Sequence, residues 1–322
     1  MKYPKFLKKN ATIGICAPSA GAGNKLEEFE RSLEHLKRDY QIIESPSVRV
    51  DGIRSNTDAI RGQEVNDIYL NPDVDFVMCA KGGDFLFETL PYIDFEALAS
   101  KPKWFLGASD PTSILYTLTT KYDIATMYGF GAGSFDGDYD YIQVADEFLK
   151  GNLIKQNSYK YSQKVDFDAT EIIFDQEVKW LSTSDINVKG RLIGGCVDVL
   201  KDLIGTKYDG TKDFISRYQT DGIIWYFDNF AMSAENFYRT MLQMRYAGYF
   251  ENTKAVIVGR VCFESSETGM SYEEAMALAF KDIPYVTAAD IGHTLPKMMM
   301  INGAIIQLKT YNNQGEISFE LK

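Results

Sequence analysis

A serine presented at a sharp turn is the first feature that could carry chemistry. Ser109 lies in Gly107-Ala108-Ser109-Asp110-Pro111, where an apolar run meets a helix-patterned run. A small residue precedes it, and Pro111 suits the first turn of a helix. The hydroxyl would project from a tight elbow beside backbone N–H groups, including that of Asp110, which are available to bind an oxyanion. From the pentapeptide alone a helix N-cap is the simpler interpretation, because serine is a favoured capping residue.

A serine nucleophile needs a general base, and the chain contains only two histidines, His35 and His293. His35 lies in a charged helical stretch, which predicts a solvated face residue. His293 lies in Asp290-Ile291-Gly292-His293-Thr294-Leu295-Pro296, after a predicted strand and between glycine and proline, as functional loops often are. A turn histidine satisfied by backbone groups explains the same loop equally well.

Three further patterns are ambiguous or point away from a site. Gly82-Gly83 follows a predicted strand, where it serves either a tight turn or the close approach of a ligand to the main chain. The stretch 21–23 lacks the third glycine of a dinucleotide fingerprint, and no phosphate-binding loop is present, so a nucleotide-dependent oxidoreductase is disfavoured. The alternating acids Asp136, Asp138 and Asp140 lack the later ligands of a calcium loop and predict a solvated turn.

The bulk composition excludes several classes of partner. The chain has 34 basic and 45 acidic residues and a formal charge of -11, which repels nucleic acid and anionic lipid. Four scattered cysteines form neither a zinc knuckle nor a disulfide framework. No run of about 18 apolar residues exists, which excludes a membrane span. The lysine-rich start leads into a short apolar stretch and a turn, so we expect a cytoplasmic protein.

The first half of the chain alternates apolar runs with helix-patterned stretches. This alternation predicts an α/β fold with a parallel, doubly wound sheet of the flavodoxin-like or Rossmann-like kind. Ligand sites in such sheets lie beyond the carboxyl ends of the strands, where Lys81-Gly82-Gly83-Asp84 and Ser109-Asp110-Pro111 fall. The predicted strands are 11–17, 41–44, 75–80, 104–108 and 125–128, and the predicted helices are 26–36, 57–70 and 112–119.

A second domain is expected after a polar, weakly periodic stretch at about 151–188. We place the domains at 1–165 and 166–322, the second being a smaller mixed α/β domain. A closing hairpin is predicted from 304–311 and 316–321, joined by Asn312-Asn313-Gln314-Gly315. The other predicted elements of this domain are strands at 223–227, 254–258 and 284–287 and an amphipathic helix at 234–245.

Taken together, these segments resemble the LD-carboxypeptidase family of serine peptidases, which includes muramoyl-tetrapeptide carboxypeptidases and microcin C self-immunity proteins. The resemblance runs nearly the whole chain, and it depends on the order and spacing of modest signals. The segments that carry it are Ile13-Gly14-Ile15-Cys16-Ala17-Pro18-Ser19, Lys81-Gly82-Gly83, Gly107-Ala108-Ser109-Asp110, Met127-Tyr128-Gly129, Gly190-Arg191-Leu192-Ile193-Gly194-Gly195, Gly205-Thr206-Lys207-Tyr208 and the loop 290–296.

The resemblance implies roles for individual residues. Ser109 would be the nucleophile and His293 its base, and the N–H groups of Asp110 and of the Gly82-Gly83 turn would be the oxyanion donors. The family's third triad member is a glutamate, and a gapless count back from the arginine-bearing helix puts Asp228 in its place. Two other departures are Cys196, where asparagine is common, and Asp84-Phe85, where tyrosine or asparagine usually follows the Gly-Gly turn.

The expected function is therefore a serine peptidase or amidase that needs no metal and no organic cofactor. Its substrate would be a small peptide or peptide-nucleotide, either a murein peptide or a peptidyl or aminoacyl nucleotide, and the resemblance implies a homodimer. An α/β-hydrolase is disfavoured because Pro111 replaces the glycine of G-x-S-x-G. The alternative is a catalytically impaired relative that binds such a ligand. Trp180 would be a buried anchor rather than a platform for a nucleobase.

Overall fold

The structure, a computed structural model, describes residues 1–164 and 172–322. The chain folds into two compact units. The first comprises Met1–Leu153 and Met299–Gly303, and the second comprises Ile154–Met298 and Ala304–Lys322. The chain therefore returns to the first unit for one short segment near its end.

The first unit is built on a sheet whose strands follow the predicted apolar runs. The sheet order is β14-β5-β4-β3-β1-β2, with β14 antiparallel to β5 and the other neighbours parallel. Read from β2 to β5 this is the flavodoxin-like order, which distinguishes between the two predicted arrangements. The strands are β1 (Thr12–Cys16), β2 (Gln41–Glu44), β3 (Phe76–Cys79), β4 (Trp104–Gly107), β5 (Thr126–Tyr128) and β14 (Met300–Asn302).

Three helices of the first unit lie where the sequence predicts them, at 26–36, 58–70 and 112–122, and the last is three residues longer than predicted. The side chain of Thr57 caps α2 by accepting a hydrogen bond from the N–H of Ile60, and α1 buries Phe29, Leu33 and Leu36 on one face. The helices are α1 (Leu26–Leu36), α2 (Asp58–Leu70), α3 (Phe95–Ser100), α4 (Thr112–Tyr122) and α5 (Asp140–Lys150).

The second unit contains a larger mixed sheet. Its order is β6-β16-β15-β10-β11-β12-β13-β9, with parallel strands from β10 to β13 and antiparallel strands outside them. β7 and β8 form a separate antiparallel pair. The strands are β6 (Gln156–Asn157), β7 (Tyr161–Gln163), β8 (Phe174–Glu177), β9 (Leu181–Ser182), β10 (Asn187–Cys196), β11 (Ile223–Asp228), β12 (Thr253–Gly259), β13 (Tyr285–Ala289), β15 (Ile305–Tyr311) and β16 (Gln314–Glu320).

The helices of this unit follow the parallel strands. They are α6 (Val197–Leu203), α7 (Thr211–Arg217), α8 (Ala234–Tyr246) and α9 (Tyr272–Ala279). Over residues 1–164 and 172–322, none of the helices is long and apolar enough to cross a membrane.

The domain division differs from the prediction. The expected boundary between 165 and 166 lies outside the described residues, and the two units divide between Leu153 and Ile154 instead. The reason is that the polar stretch supplies strands: β6 pairs with β16, and β9 pairs with β13. Because of these strands the second unit is also no smaller than the first.

The closing hairpin is tighter than predicted. Gln314 and Gly315 belong to β16, where they pair with Tyr311 and Thr310. Only Asn312 and Asn313 form the turn, both with positive φ, 48° and 60°. Two successive left-handed residues are what a two-residue hairpin turn requires, and asparagine tolerates that conformation better than most residues.

Candidate functional site

Ser109 occupies a strained backbone position between β4 and α4. Its φ is 65°, in the left-handed region that residues other than glycine seldom adopt. An N-cap residue has extended geometry, and the residue that precedes the first turn of α4 is Pro111, whose φ is -51° and which makes no side-chain capping bond. The helix-cap interpretation of Ser109 is therefore wrong, and what remains is an elbow that projects the hydroxyl.

Close packing holds this elbow in place. A Cβ atom on Gly107 would lie 2.6 Å from Cβ of Pro111, and one on Gly82 would lie 2.9 Å from Cβ of Ser109. The backbone N–H of Ser109 donates to the hydroxyl of Tyr128 at 3.1 Å. Glycine is thus required at both positions for space, and the N–H of the serine itself is already engaged.

Asp110 ties the elbow to two other loops of the first unit. Its carboxylate accepts hydrogen bonds from the hydroxyl of Ser19 and, at 2.8 Å, from the N–H of Leu86. The side chain is 3% exposed, and this burial raises the pKa of Asp110 to about 6, although both hydrogen bonds oppose the shift. Its side chain is therefore a structural tie, and only its main chain can face a ligand.

Backbone donors are available around the elbow. Among the described residues nothing accepts a hydrogen bond from the N–H groups of Gly82, Gly83 or Asp110. Gly83 has a φ of 154°, and a Cβ atom there would lie 2.4 Å from Oγ of Ser19. N–H groups without partners, fixed beside a serine, are the donors that an oxyanion site needs.

His293 and Asp228 form a direct pair within the second unit. Nδ1 of His293 lies 3.0 Å from Oδ1 of Asp228 and 2.9 Å from its Oδ2. Asp228 ends β11 and is fully buried, whereas the His293 side chain is 18% exposed. With Nδ1 engaged, Nε2 is the nitrogen left for a second partner. The contact is direct, so no bridging water is needed between this carboxylate and the imidazole.

The residues packed around His293 and Asp228 allow the two side chains to meet. Gly292 has a φ of 111°, and a Cβ atom there would lie 2.2 Å from Oδ1 of Asp228, so only glycine allows the loop to approach the carboxylate. The ring of Phe230 packs on the imidazole with centroids 4.5 Å apart. Cys196 pairs in register with Asp228, and burial raises the pKa of its thiol well above the ordinary value, which keeps it neutral beside the carboxylate.

Other acids near the loop have different partners. Glu235 accepts hydrogen bonds from Ser266 and Thr268, and Asp290 accepts them from Arg260, Trp180 and the N–H of Tyr159. Neither carboxylate is bonded to His293, which leaves Asp228 as its partner. Arg260 also binds Thr294 and Pro296. Sequence reasoning missed Arg260, whose only signal is its place at the end of a parallel strand.

The structure tests the predictions made for Trp180 and His35. Trp180 is fully buried and donates from Nε1 to Asp290 at 2.8 Å, which confirms the anchor and excludes an open stacking platform. His35 is not a solvated residue, since its Nε2 lies 2.7 Å from Oδ2 of Asp146 and its side chain is only 18% exposed. His35 of α1 therefore faces Asp146 of α5. Neither Trp180 nor His35 is therefore a candidate site residue.

Comparison with known proteins agrees with this fold. Residues 13–129 match the LD-carboxypeptidase N-terminal domain, and residues 189–308 match the LD-carboxypeptidase C-terminal domain. A protein of Vibrio cholerae named as a carboxypeptidase is 27% identical, with 93% of this chain and 92% of that protein covered. The chain belongs to the LD-carboxypeptidase family.

Two relatives illustrate the range of the family. The microcin C7 self-immunity protein MccF of Escherichia coli is 24% identical over 95% of this chain and 93% of its own. Its structure matches with a TM-score of 0.81 over 99% of this chain and 98% of that one. A muramoyltetrapeptide carboxypeptidase of Oxalobacter formigenes matches with a TM-score of 0.76 at 20% identity, over 97% and 99% of the two chains.

Proposed function

We propose that this protein is a serine-type carboxypeptidase or amidase that hydrolyses a peptide-like amide through an acyl-enzyme. The observation that carries the proposal is the left-handed φ of 65° at Ser109, because such strain in a residue other than glycine is retained where function needs it. The His293–Asp228 pair supports it, since a histidine held by a buried carboxylate is how serine hydrolases prepare their base.

In the proposed reaction, Nε2 of His293 accepts the proton of the Ser109 hydroxyl while Oγ attacks the scissile carbonyl. The N–H groups of Asp110 and of the Gly82-Gly83 turn stabilise the oxyanion. His293 then gives the proton to the leaving amine as the C–N bond breaks, and an ester to Ser109 remains. Water, deprotonated by His293, attacks the ester, and as the ester C–O bond breaks His293 returns that proton to Oγ of Ser109 and the carboxylate product leaves. Every proton is accounted for without a metal or organic cofactor.

The substrate class we propose is a small peptide or aminoacyl conjugate, either a murein peptide or a peptidyl or aminoacyl nucleotide. Structures of MccF hold glutamyl sulfamoyl guanosine and aspartyl sulfamoyl adenosine, which are aminoacyl nucleotide analogues. The muramoyltetrapeptide carboxypeptidase represents the murein peptides. Because Trp180 is buried here, a nucleobase would have to rest on other side chains.

The proposal also covers the cellular location and the oligomeric state of the enzyme. We propose a cytoplasmic homodimer, as the family resemblance implies. The four cysteines are all free and buried, which suits a reducing compartment. Light scattering on the purified protein measures the mass, and the proposal expects twice the 36.4 kDa of one chain.

The test combines an active-site label with a panel of substrates. A fluorophosphonate should label the native protein at Ser109, and Ser109→Ala should abolish labelling and lower kcat by at least about three orders of magnitude. Ser113→Ala is the matched control, since Ser113 is buried in α4 with its hydroxyl unbonded among the described residues. Native protein that binds these ligands but resists the label and cleaves none of them would instead be a binding relative.

A further inference from the structure

One arginine binds three separate points of the loop that carries His293. Arg260 directly follows β12. Its Nε donates to Oγ1 of Thr294 at 2.9 Å, its Nη2 donates to the carbonyl of Pro296 at 2.6 Å, and its Nη1 pairs with Oδ1 of Asp290. These contacts lie on both sides of His293 in sequence, so a single guanidinium spans the whole loop.

Asp290, the acidic partner of Arg260, is held by further hydrogen bonds. Asp290 is fully buried, and its second oxygen accepts hydrogen bonds from Nε1 of Trp180 at 2.8 Å and from the N–H of Tyr159 at 3.1 Å. The backbone is fixed as well, since the N–H of Arg260 donates to Ala289 at 3.0 Å. The loop is therefore attached through Arg260 to the end of β12, the strand that pairs with β11, and β11 ends at Asp228.

Asp228 and His293 come from different elements, and this makes their distance sensitive to the loop. Asp228 is fixed at the end of β11, whereas His293 lies between the bonded residues Asp290 and Thr294. Displacement of a catalytic group by about 1 Å can cost on the order of a hundredfold in rate. The loop has other constraints, since the N–H of Gln163 donates to the carbonyl of Leu295 at 2.9 Å and the N–H of Met298 donates to the carbonyl of Asp290 at 2.7 Å, but neither bond involves a charged side chain.

We propose that Arg260 is a positioning residue, which holds the imidazole of His293 in register with Asp228 by clamping residues 290–296. The proposal rests on the proposed function, in which His293 is the base. A planar guanidinium with donors in three directions is suited to this task, and the ammonium of lysine is not, because it presents a single point of charge. A lysine at position 260 would therefore keep the charge opposite Asp290 but lose the hydrogen bonds to Thr294 and Pro296.

Arg260→Lys is the variant that separates them. Lysine retains a cation for the buried Asp290 but cannot also reach Thr294 and Pro296. We expect a folded protein whose rate of fluorophosphonate labelling falls at least about tenfold. Arg191→Lys is the matched control, because the Arg191 side chain is also largely buried in this unit, 4% exposed against 14% for Arg260, but pairs with Asp221 and the carbonyl of Lys322. That control should label at the native rate.

A spectroscopic measurement distinguishes positioning from stability. In protein with ¹⁵N-labelled histidine, neutral His293 should hold its proton on Nδ1, facing Asp228, and Arg260→Lys should shift a substantial fraction to Nε2. His35→Gln assigns the two histidine signals. An unchanged tautomer in Arg260→Lys would overturn the proposal, whatever the labelling rate. This readout needs no catalysis, so it remains decisive even if the native protein proves unreactive and the proposed function fails.

A double variant covers the case in which Arg260→Lys fails to fold. Arg260→Met with Asp290→Asn removes both charges, so no buried ion is left unpaired, while the amide can still accept from Trp180 and Tyr159. We expect a folded protein with the same tautomer shift and slow labelling. Native labelling and a native tautomer in this folded double variant would show that Arg260 serves stability alone.

Discussion

Asp228 contacts His293 directly although its side chain is one carbon–carbon bond shorter than the glutamate of the family, about 1.5 Å. The loop makes up the difference, because Gly292 allows its main chain to approach within a distance that any side chain would block. The short acid and the glycine therefore act as a pair. This explains how a departure in sequence leaves the geometry of a histidine–carboxylate contact intact.

The first prediction concerns this carboxylate. Asp228→Asn should retain the fold but lower kcat by about two to four orders of magnitude, because an amide neither fixes the tautomer of His293 nor stabilises the imidazolium. Asp228→Glu should also be impaired, since Gly292 leaves no room for a longer acid. Steady-state kinetics on a cleaved panel substrate measures both. An Asn variant with native kcat would remove Asp228 from the mechanism.

The second prediction concerns the pH dependence of stability at Asp110. Its pKa is raised to about 6 by burial, from an ordinary value of 3.8, so the folded state binds this proton more tightly than the unfolded state does. Its contribution to stability is therefore greatest at low pH, falls as pH rises from about 4 to about 6, and is constant above. The total change is up to about 3 kcal/mol.

Urea unfolding of the native protein and of Asp110→Asn across this pH range tests the second prediction. The difference between the two free energies of unfolding should change between pH 4 and pH 6 and be flat from pH 7 to pH 8. Contributions from all other groups cancel in that difference. A difference that is constant with pH would mean that Asp110 titrates normally.

The sequence named His293 and Asp228, which the structure places in contact, but it could not supply the geometry around them. With two histidines in the chain, the resemblance to the family selected His293, and a gapless count back from the arginine-bearing helix led to Asp228. The positive φ at Ser109 and the engagement of its N–H by Tyr128 depend on tertiary contacts. Arg260 is invisible for the same reason, since its partners lie 30 and more residues away along the chain.

At the scale of elements, the elbow depends on the turn that follows the neighbouring strand β3. The N–H of Ala20, after β1, donates to the carbonyl of Gly82 at 3.3 Å, and Gly82 packs on Ser109. The carboxyl ends of β1, β3 and β4 are thus joined into one surface. Strand alternation predicted these ends as the place for chemistry, since parallel strands present their carboxyl ends at one edge.

The third prediction tests this packing. Gly82→Ala should fold, because the φ of Gly82 is not in the left-handed region, but its Cβ atom would lie 2.9 Å from Cβ of Ser109 and displace the elbow. We expect a loss of about 1 to 3 kcal/mol in stability and of at least about tenfold in kcat. Gly133→Ala is the control, since its Cβ atom would meet only Phe29 and the carbonyl of Ala80. Equal kcat in the two variants would contradict the argument.

Short polar elements were the ones that sequence reasoning could not find. The strands β6 to β9 have two to four residues each and little apolar periodicity. Their pairing is set by the strands beside them, β16 for β6, β13 for β9, and each other for β7 and β8. The hairpin turn was placed two residues too long because Gly315 reads as a turn residue. In the structure, Gly315 is instead required beside the ring of Trp180, which a Cβ atom would meet at 1.8 Å.

At the scale of the whole molecule, the two units are interleaved in sequence. The segment Met299–Gly303 belongs to the first unit, although it follows the whole chain of the second unit except its last hairpin. Its strand β14 pairs with β5 in the register Met300 to Tyr128, Ile301 to Met127 and Asn302 to Thr126. The hydroxyl of Tyr128 also accepts a hydrogen bond from the N–H of Ser109. The strand β14, which pairs with β5 on the side away from β4, therefore supports the elbow through Tyr128.

The fourth prediction follows from this interleaving. Ile301 is fully buried, and Ile301→Ala should destabilise the first unit by about 2 to 5 kcal/mol through the lost burial and the cavity left behind. Amide hydrogen exchange followed by mass spectrometry locates the effect, because local opening exposes the amides of the affected strands. Peptides that cover β4 and β5 should exchange at least about tenfold faster than in the native protein.

Ile306→Ala is the matched control for this experiment, because Ile306 is just as buried but lies in β15 of the second unit. Its effect should fall on the neighbouring strands β10 and β16 instead. The two substitutions are only five positions apart in sequence, so proximity along the chain predicts the same pattern for both. Faster exchange of β10 and β16 in Ile301→Ala, with β4 and β5 unchanged, would show that the segment Met299–Gly303 is not part of the first unit.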